Sequence, residues 1–328
     1  MSLLPVGIIG TGKYVPDRVL TNQELEQMVE TNDEWIVTRT GIRERRLASA
    51  EQATSDLAYE ASLAALQAAG VSPEELDLII VATITPDMAF PSVSCILQDK
   101  LGAKKAAAYD LSAACSGFIY GLATGSNFIA TGMYKHVLVV GAECLSKITD
   151  YTDRNTCILF GDGAGAVVLG QVEEGRGFKS FELGADGSGG PLLQVAAGGS
   201  RCPATPETLA GKGHYIYMAG SEVFKFAVRI MGNAAEEALR KAGMEKGDID
   251  LLVPHQANIR IIQSSLQKLD LSADKCMINV DKYGNMSAAS IPVALAEAVE
   301  QGRVKDGDSV VLVGFGGGLT WGASVLVW

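Results

Sequence analysis

The chain repeats itself, and few folds accommodate that. The run Asp77-Leu78-Ile79-Ile80-Val81 returns as Asp250-Leu251-Leu252-Val253-Pro254, followed after 38 and 35 residues by a small-residue helix start at Cys115 and Asn285. From each of these, 17 residues lead to a glycine, Gly132 and Gly302, and then to an apolar run closed by Gly141 or Gly314. Two ordinary βαβ segments matching by coincidence would explain the pattern. A duplicated α/β unit packed about a pseudo-two-fold axis explains it better. It divides the chain into halves 1–174 and 175–328, with Cys115 and Asn285 in related positions.

Apolar periodicity predicts strands near 5–10, 77–83, 106–111, 136–141, 164–170, 177–184, 249–254, 276–280, 309–314 and 323–328. Helices are expected near 21–30, 54–69, 92–101, 117–131, 221–242, 258–269 and 287–301. Alternation of the two means layered α/β architecture. The segment 184–213, rich in Gly, Pro, Ser and Thr, is expected as a long loop that links the halves or covers a site.

A net charge of −11 disfavours nonspecific binding to nucleic acid or membrane surfaces. No apolar run reaches the ~18 residues of a membrane span, and the opening Met1-Ser2-Leu3-Leu4-Pro5 lacks the basic start of a signal peptide. Six cysteines without a C-x-x-C pair argue against a disulfide framework or a metal site and suit a reducing cytoplasm. Arg39, Arg43, Arg45 and Arg46 crowd one short stretch of this acidic chain. They form either a solvated loop or a site for a phosphorylated ligand, which arginine forks suit.

Two glycine runs mislead. In Gly7-Ile8-Ile9-Gly10-Thr11-Gly12, the third glycine of a dinucleotide fingerprint falls on Val15 and Pro16 interrupts the helix that should follow. Gly161-Asp162-Gly163-Ala164-Gly165-Ala166 lacks the G-K-[ST] ending of a phosphate loop and is expected as a tight turn between strands.

Cys115 ends an apolar strand and opens a helix, where free N–H groups and the dipole favour a thiolate. Histidine is scarce. His136 and His214 have no evident partner, but His255 follows the strand closed by Pro254, which cannot donate to a ladder. Cys115, His255 and Asn285 therefore all occupy strand-end, helix-start positions, where α/β proteins bind ligands. Cys, His and Asn in that order leave two chemistries open. One is a papain-like hydrolase, although the surroundings of its nucleophile are missing. The other is a thioester condensation, in which Cys carries an acyl group while His and Asn hold the second thioester oxygen as it gains enolate charge. The repeat and the glycine-rich surroundings favour the second.

The residues that carry a family resemblance are Thr31–Ile42 (TNDEWIVTRTGI), Ala114-Cys115-Ser116-Gly117-Phe118, Pro254-His255-Gln256-Ala257-Asn258, Gly284-Asn285-Met286-Ser287-Ala288-Ala289-Ser290 and Phe315–Gly322 (FGGGLTWG). Together, and essentially end to end, the chain resembles the β-ketoacyl-acyl carrier protein synthase III family of thiolase-fold condensing enzymes. The resemblance implies an αβαβα fold of two homologous halves and a homodimer. It also implies a ping-pong reaction in which an acyl-CoA, most simply acetyl-CoA, acylates Cys115, and malonyl-acyl carrier protein then decarboxylates and condenses. Coenzyme A is part of a substrate, and no resident cofactor or metal is expected.

The resemblance implies that Gly317 joins the Cys115 N–H in an oxyanion hole. It puts Phe315 beside the malonyl carboxylate and Phe90 on the primer pocket. Thr31, Trp35, Arg39 and Arg154 would hold CoA, and Lys225 and Arg260 would dock the acidic carrier. Degradative thiolases would need a second cysteine where Phe315 stands, and elongating synthases a second histidine where Asn285 stands. 3-Hydroxy-3-methylglutaryl-CoA synthases need a glutamate base, for which only Glu75 and Glu143 are available, neither in a convincing motif. A polyketide starter or plant-type polyketide synthase, or a scaffold without catalysis, is the alternative.

Overall fold

Two sheets of like connectivity carry the chain in the computed structural model, which describes residues 3–328; Met1 and Ser2 of the opening segment lie outside it. The first half runs β1 (Val6–Tyr14), β2 (Arg18–Thr21), α1 (Asn22–Leu25), α2 (Asp33–Thr40), β3 (Glu44–Leu47), α3 (Thr54–Ala69), β4 (Leu78–Ala82), α4 (Val93–Leu101), β5 (Ala107–Leu111), α5 (Gly117–Ala130), β6 (Val137–Cys144) and β7 (Asp162–Gln171). The second runs β8 (Gly177–Ala185), β9 (Leu193–Val195), α6 (Pro206–Ala210), β10 (Ile216–Met218), α7 (Gly220–Ala242), β11 (Leu251–Pro254), α8 (Ile259–Leu269), α9 (Val280–Tyr283), α10 (Ser290–Glu300), β12 (Ser309–Gly316) and β13 (Thr320–Val327).

The first sheet has the order β1-β7-β6-β4-β5 and the second β8-β13-β12-β11. These are the same arrangement if β1, β7, β6 and β4 correspond to β8, β13, β12 and β11. Strands β4, β6, β11 and β12 are buried almost throughout, as strands covered on both faces must be. Helices α3 and α4 cover the outer face of the first sheet, α7 and α8 that of the second, and α5 and α10 lie between the sheets. Five layers result.

The middle layer is close-fitted. A Cβ on Gly141 of β6 would lie 2.2 Å from the Ala288 carbonyl oxygen, and one on Gly165 of β7 would lie 2.6 Å from the Val293 nitrogen. Glycine inside a strand here marks a neighbouring backbone at contact distance. This corrects the expectation for Gly161–Ala166: from Asp162 onward the run is not a turn but the first part of β7, its glycines facing α10 and Met286. The Gly7–Gly12 run likewise lies in β1, where Gly10 and Gly12 press against Ala65 of α3.

Three other expectations change. The strand near 276–280 is reduced to a single bridge between Leu252 and Cys276. The Gln256 amide intervenes: its oxygen accepts the N–H groups of Asn279 and Val280 at 3.0 and 3.1 Å, and its nitrogen donates to the Met277 carbonyl at 3.1 Å. The helix near 21–30 shortens to the single turn α1, and the polar helix α2, which has little apolar period to reveal it, stands after it. Within 184–213 lies β9, which pairs with β10 in a small antiparallel sheet.

The correspondence of Cys115 with Asn285 also shifts. Ala114 and Ser287 share the left-handed φ of +46°, and each opens a single 3₁₀ turn, Ala114–Ser116 or Ser287–Ala289, that feeds a middle helix. The position equivalent to Cys115 is therefore Ala288. Counting back from Gly132 and Gly302 gave a different answer because α5 is 14 residues long and α10 only 11.

Candidate active site

Cys115 sits in the 3₁₀ turn ahead of α5, buried between the two sheets. A non-glycine residue with positive φ costs ~1–2 kcal/mol, so Ala114 holds the nucleophile on a strained turn. Gly316, at the end of β12, approaches so closely that a Cβ there would be 2.5 Å from the Cys115 nitrogen. Burial pushes the Cys115 thiol up to about 12, with the Ser287 hydroxyl acting in the opposite sense and the Glu143 carboxylate adding to the rise. The helix start alone thus does not offset the effect of burial on this thiol.

His255 follows β11 and is 1 % exposed. Its backbone N–H donates to Val313 O at 2.7 Å, and its ring meets Phe315 edge-on with centroids 5.7 Å apart. Neither ring nitrogen has a hydrogen-bond partner, and burial drives its pKa down to about 3. The imidazole is neutral, with an N–H to donate.

Asn285 lies beyond α9. Its backbone N–H donates to Leu159 O at 2.8 Å, and its carbonyl accepts the Gly161 N–H at 3.1 Å. The side-chain oxygen accepts the Ser287 N–H at 2.8 Å, which leaves the NH₂ end for the cavity. A pocket of about 100 Å³ is lined by Cys115, His255, Asn285 and Phe315.

Two larger spaces adjoin it. A cleft of about 630 Å³ opens outward past Met218, Gly220 and Asn258 to Trp35 and Arg39. At this mouth the Arg39 guanidinium lies 4.4 Å and that of Arg154 5.5 Å from the centre of the Trp35 ring. Arg154 also donates to Glu30 O at 3.0 Å, and the Thr31 hydroxyl is buried without a partner. Lys212, tied to Asp150 at 2.8 Å, shares the same rim. On the other side of Cys115 lies a cavity of about 370 Å³, largely apolar, walled by Ile84, Leu145, Phe160, Leu193 and Ile216 and bounded by Gly317.

Most of the residues expected at the site meet here. Phe90 is the exception: it is 85 % exposed and lines neither cavity within this chain. Lys225 and Arg260 are exposed near the inner passage, Arg260 lying 5.2 Å over the ring of Phe224, which lines it. The arginine cluster divides. Arg45 is not surface but fully buried, donating to Leu20 O, Asn22 Oδ1 and Ile158 O.

Sequence reasoning missed Gln256 and Asn258 as builders of the site. Gln256 locks the His255 loop to 277–280, and Asn258 caps α8 while donating to Arg39 O at 2.9 Å. Both stand inside the Pro254–Asn258 motif, so the signal was present without a role. Glu75 caps an exposed turn at Ser72, whereas Glu143 is buried near Cys115.

A thiol on a strained turn, lining one pocket with a neutral imidazole and an amide and joined by a cleft to a cationic rim, fits a thiolase-fold condensing enzyme. Comparison makes this specific. The family "3-Oxoacyl-[acyl-carrier-protein (ACP)] synthase III" matches residues 109–187, and its C-terminal part matches 239–328. The β-ketoacyl-[acyl-carrier-protein] synthase III of Desulfitobacterium hafniense is 62% identical over 326 residues, 99% of this chain and 98% of that protein. The crystal structure of the Thermus thermophilus synthase III superposes with a TM-score of 0.92 at 51% identity, covering 98% of this chain and 99% of the other. The priming β-ketosynthase of the R1128 polyketide pathway superposes at 0.93 but with 35% identity, covering 99% and 97%. The chain belongs to the β-ketoacyl-acyl carrier protein synthase III family, the condensing acyltransferases that initiate fatty acid synthesis.

Proposed function

We propose that Cys115 takes an acyl group from acyl-CoA, most simply acetyl-CoA, and that malonyl-acyl carrier protein then supplies the two-carbon nucleophile. The observation that carries this reading is the position of Cys115, at the junction of an outward passage and a largely apolar cavity, with the free donors of His255 and Asn285 beside it.

In the first half-reaction, the Cys115 sulfur attacks the thioester carbonyl. The backbone N–H groups of Cys115 and Gly317 serve the developing oxyanion, and the acyl chain enters the 370 Å³ cavity. CoA lies along the outer cleft, its adenine against Trp35, with Thr31, Arg39 and Arg154 around it. In the second, the neutral His255 N–H and the Asn285 NH₂ hold the malonyl thioester oxygen, so that loss of carbon dioxide leaves an enolate rather than a free carbanion. The Phe315 ring keeps the departing carboxylate in apolar surroundings. The enolate carbon attacks the acyl-Cys115 carbonyl and expels the thiolate. Lys225 and Arg260 meet the acidic carrier, which mainly sets the encounter rate.

The working form is a homodimer in the cytoplasm. Ile84, Met88 and Phe90 form an exposed apolar stretch next to the acyl cavity, which Ile84 lines, and a second subunit laid over it would bring Phe90 to a primer pocket. Among the described residues no helix is long and apolar enough to cross a membrane.

Intact-mass spectrometry after incubation with a series of acyl-CoAs tests the reading. One acyl adduct, absent in Cys115→Ala, is expected, and the preferred chain names the primer. No adduct from any acyl-CoA with Cys115 reduced would overturn it in favour of a scaffold.

A further inference from the structure

The two backbone donors assigned to the oxyanion come from different halves of the chain and must be held to a common point. The Cys115 N–H lies in the 3₁₀ turn ahead of α5. The Gly317 N–H lies in Gly317-Gly318-Leu319, the tight connection between β12 and β13, whose flanking residues Gly316 and Thr320 pair with each other. Two glycines in so short a connection leave its backbone many conformations to choose from, whereas an oxyanion hole works only when its donors are fixed in advance. Leu319 is fixed from outside the hairpin: its N–H donates to Asp186 O and its carbonyl accepts the Asp186 N–H, both at 2.8 Å. Gly317 needs a tie of its own.

Thr320 supplies it. Its backbone pairs with Gly316 on one side and with Ala185 of β8 on the other, so an internal strand presents the side chain. The Thr320 Oγ1 lies 2.9 Å from Ala113 O and 3.3 Å from Gly317 O. Ala113 O is the acceptor that closes the Cys115 turn, taking the Ser116 N–H at 3.2 Å. The Ser116 hydroxyl, fully buried, lies 2.8 Å from both Ala113 O and Thr320 Oγ1. Each hydroxyl has one hydrogen to give, and both are used when Ser116 donates to Thr320 and Thr320 donates to a carbonyl. One hydroxyl oxygen thus touches the turn that carries the first donor and the residue that carries the second.

We propose that Thr320 is a positioning residue for acyl transfer, which holds the Cys115 and Gly317 N–H groups on one point through the Ser116–Thr320 hydroxyl pair. This rests on the acyl-transfer reading above. Two tetrahedral intermediates form on Cys115, one from acyl-CoA and one from attack of the enolate, and each places its oxyanion between these donors. Loss of carbon dioxide from the malonyl group makes no use of them, because that thioester oxygen is held by His255 and Asn285. A defect at Thr320 therefore slows acylation and condensation and spares decarboxylation.

Thr320→Val on the full-length protein keeps the shape and the strand preference of the side chain and removes only the hydroxyl. Single-turnover acylation by acetyl-CoA, followed by intact mass, should slow on the order of 10- to 10²-fold, less than the ~10²–10³ that outright loss of one donor costs. The KM for acetyl-CoA should stay as in the wild type, since the lost interaction belongs to the transition state. Decarboxylation of malonyl-acyl carrier protein should also be unchanged. Thr320→Ser, which returns the hydroxyl, should restore most of the acylation rate. Ser116→Ala should show the same selective loss, and it carries the test if Thr320→Val fails to fold. The double variant should lose less than the product of the two single losses, because the hydroxyls act as one unit. Wild-type acylation rates in both single variants overturn the proposal. So does an equal loss of acylation and decarboxylation that Thr320→Ser does not rescue, which marks a merely structural role. Wild-type protein that never takes an acyl group refutes the acyl-transfer reading itself, and the proposal falls with it.

Discussion

The Ser287 N–H donates to Asn285 Oδ1 at 2.8 Å, and this one bond decides which end of the Asn285 amide meets the substrate. Asn285→Asp preserves the acceptor but replaces the free NH₂ with a second oxygen. Acylation of Cys115 should survive while decarboxylative condensation falls by about 10²–10³, the usual cost of one such donor. Separate assays of the two half-reactions check this; equal loss in both would contradict it.

His255 behaves in acid as a buried neutral base. Folded, it takes up a proton only near pH 3, whereas its ordinary value is 6.5. Between these values the unfolded chain binds the proton and the folded chain does not, so the His255 contribution to stability falls as pH drops from about 6.5 toward 3 and is fully present above 6.5. Melting temperatures at pH 7.5 and 5.0 should diverge more for the wild type than for His255→Gln. Condensation should show no histidine ionisation between pH 5.5 and 8; a limb near 6.5 that vanishes in His255→Gln would refute a neutral donor.

Trp35, with guanidinium groups at 4.4 and 5.5 Å, offers a flat face for a nucleotide base. Trp35→Ala should raise KM for acetyl-CoA by about 10-fold, in keeping with ~1–2 kcal/mol for stacking and cation–π contact. Acylation by an acetyl thioester of a short pantetheine should not change, and steady-state kinetics with both donors decides.

Gln256 spends both ends of its amide on backbone groups of 254 and 277–280. Gln256→Ala leaves buried peptide groups unpaired, at about 1–3 kcal/mol for each unsatisfied group. Denaturant unfolding should show that loss, and condensation should decline with it as the His255 loop slackens.

Much of this site is legible in the residues because the chemistry demands specific types: Cys115 between small residues, His255 after a proline-closed strand, Asn285 before a helix. That the two sheets share one arrangement follows from the repeat; the order of strands itself is read from the structure. What escaped notice depends on contacts between distant segments. The strand near 276–280 has the right apolar content, but its backbone groups bond to Gln256, some 20 residues away. Arg45 looks like surface charge until three oxygens from 20–22 and 158 enclose it. The three-residue slip in pairing Cys115 with Asn285 came from a helix that lengthened by nearly one turn in one half only, which spacing alone does not reveal.

The glycine contacts of Gly141 and Gly165 with the Ala288–Val293 segment bear on how the chain is made. On the ribosome the first sheet emerges early with α5 on its inner face, but the part of that face that α10 covers stays open until α10 is synthesised, and Gly316 reaches the Cys115 turn later still. The nucleophile is therefore translated in the first half of the chain and enclosed only near the end of synthesis. A nascent chain stalled before residue 290 would present a free thiol on a turn that lacks the Gly317 N–H, one of its two proposed oxyanion donors. Acyl transfer would then begin only once both halves had left the ribosome.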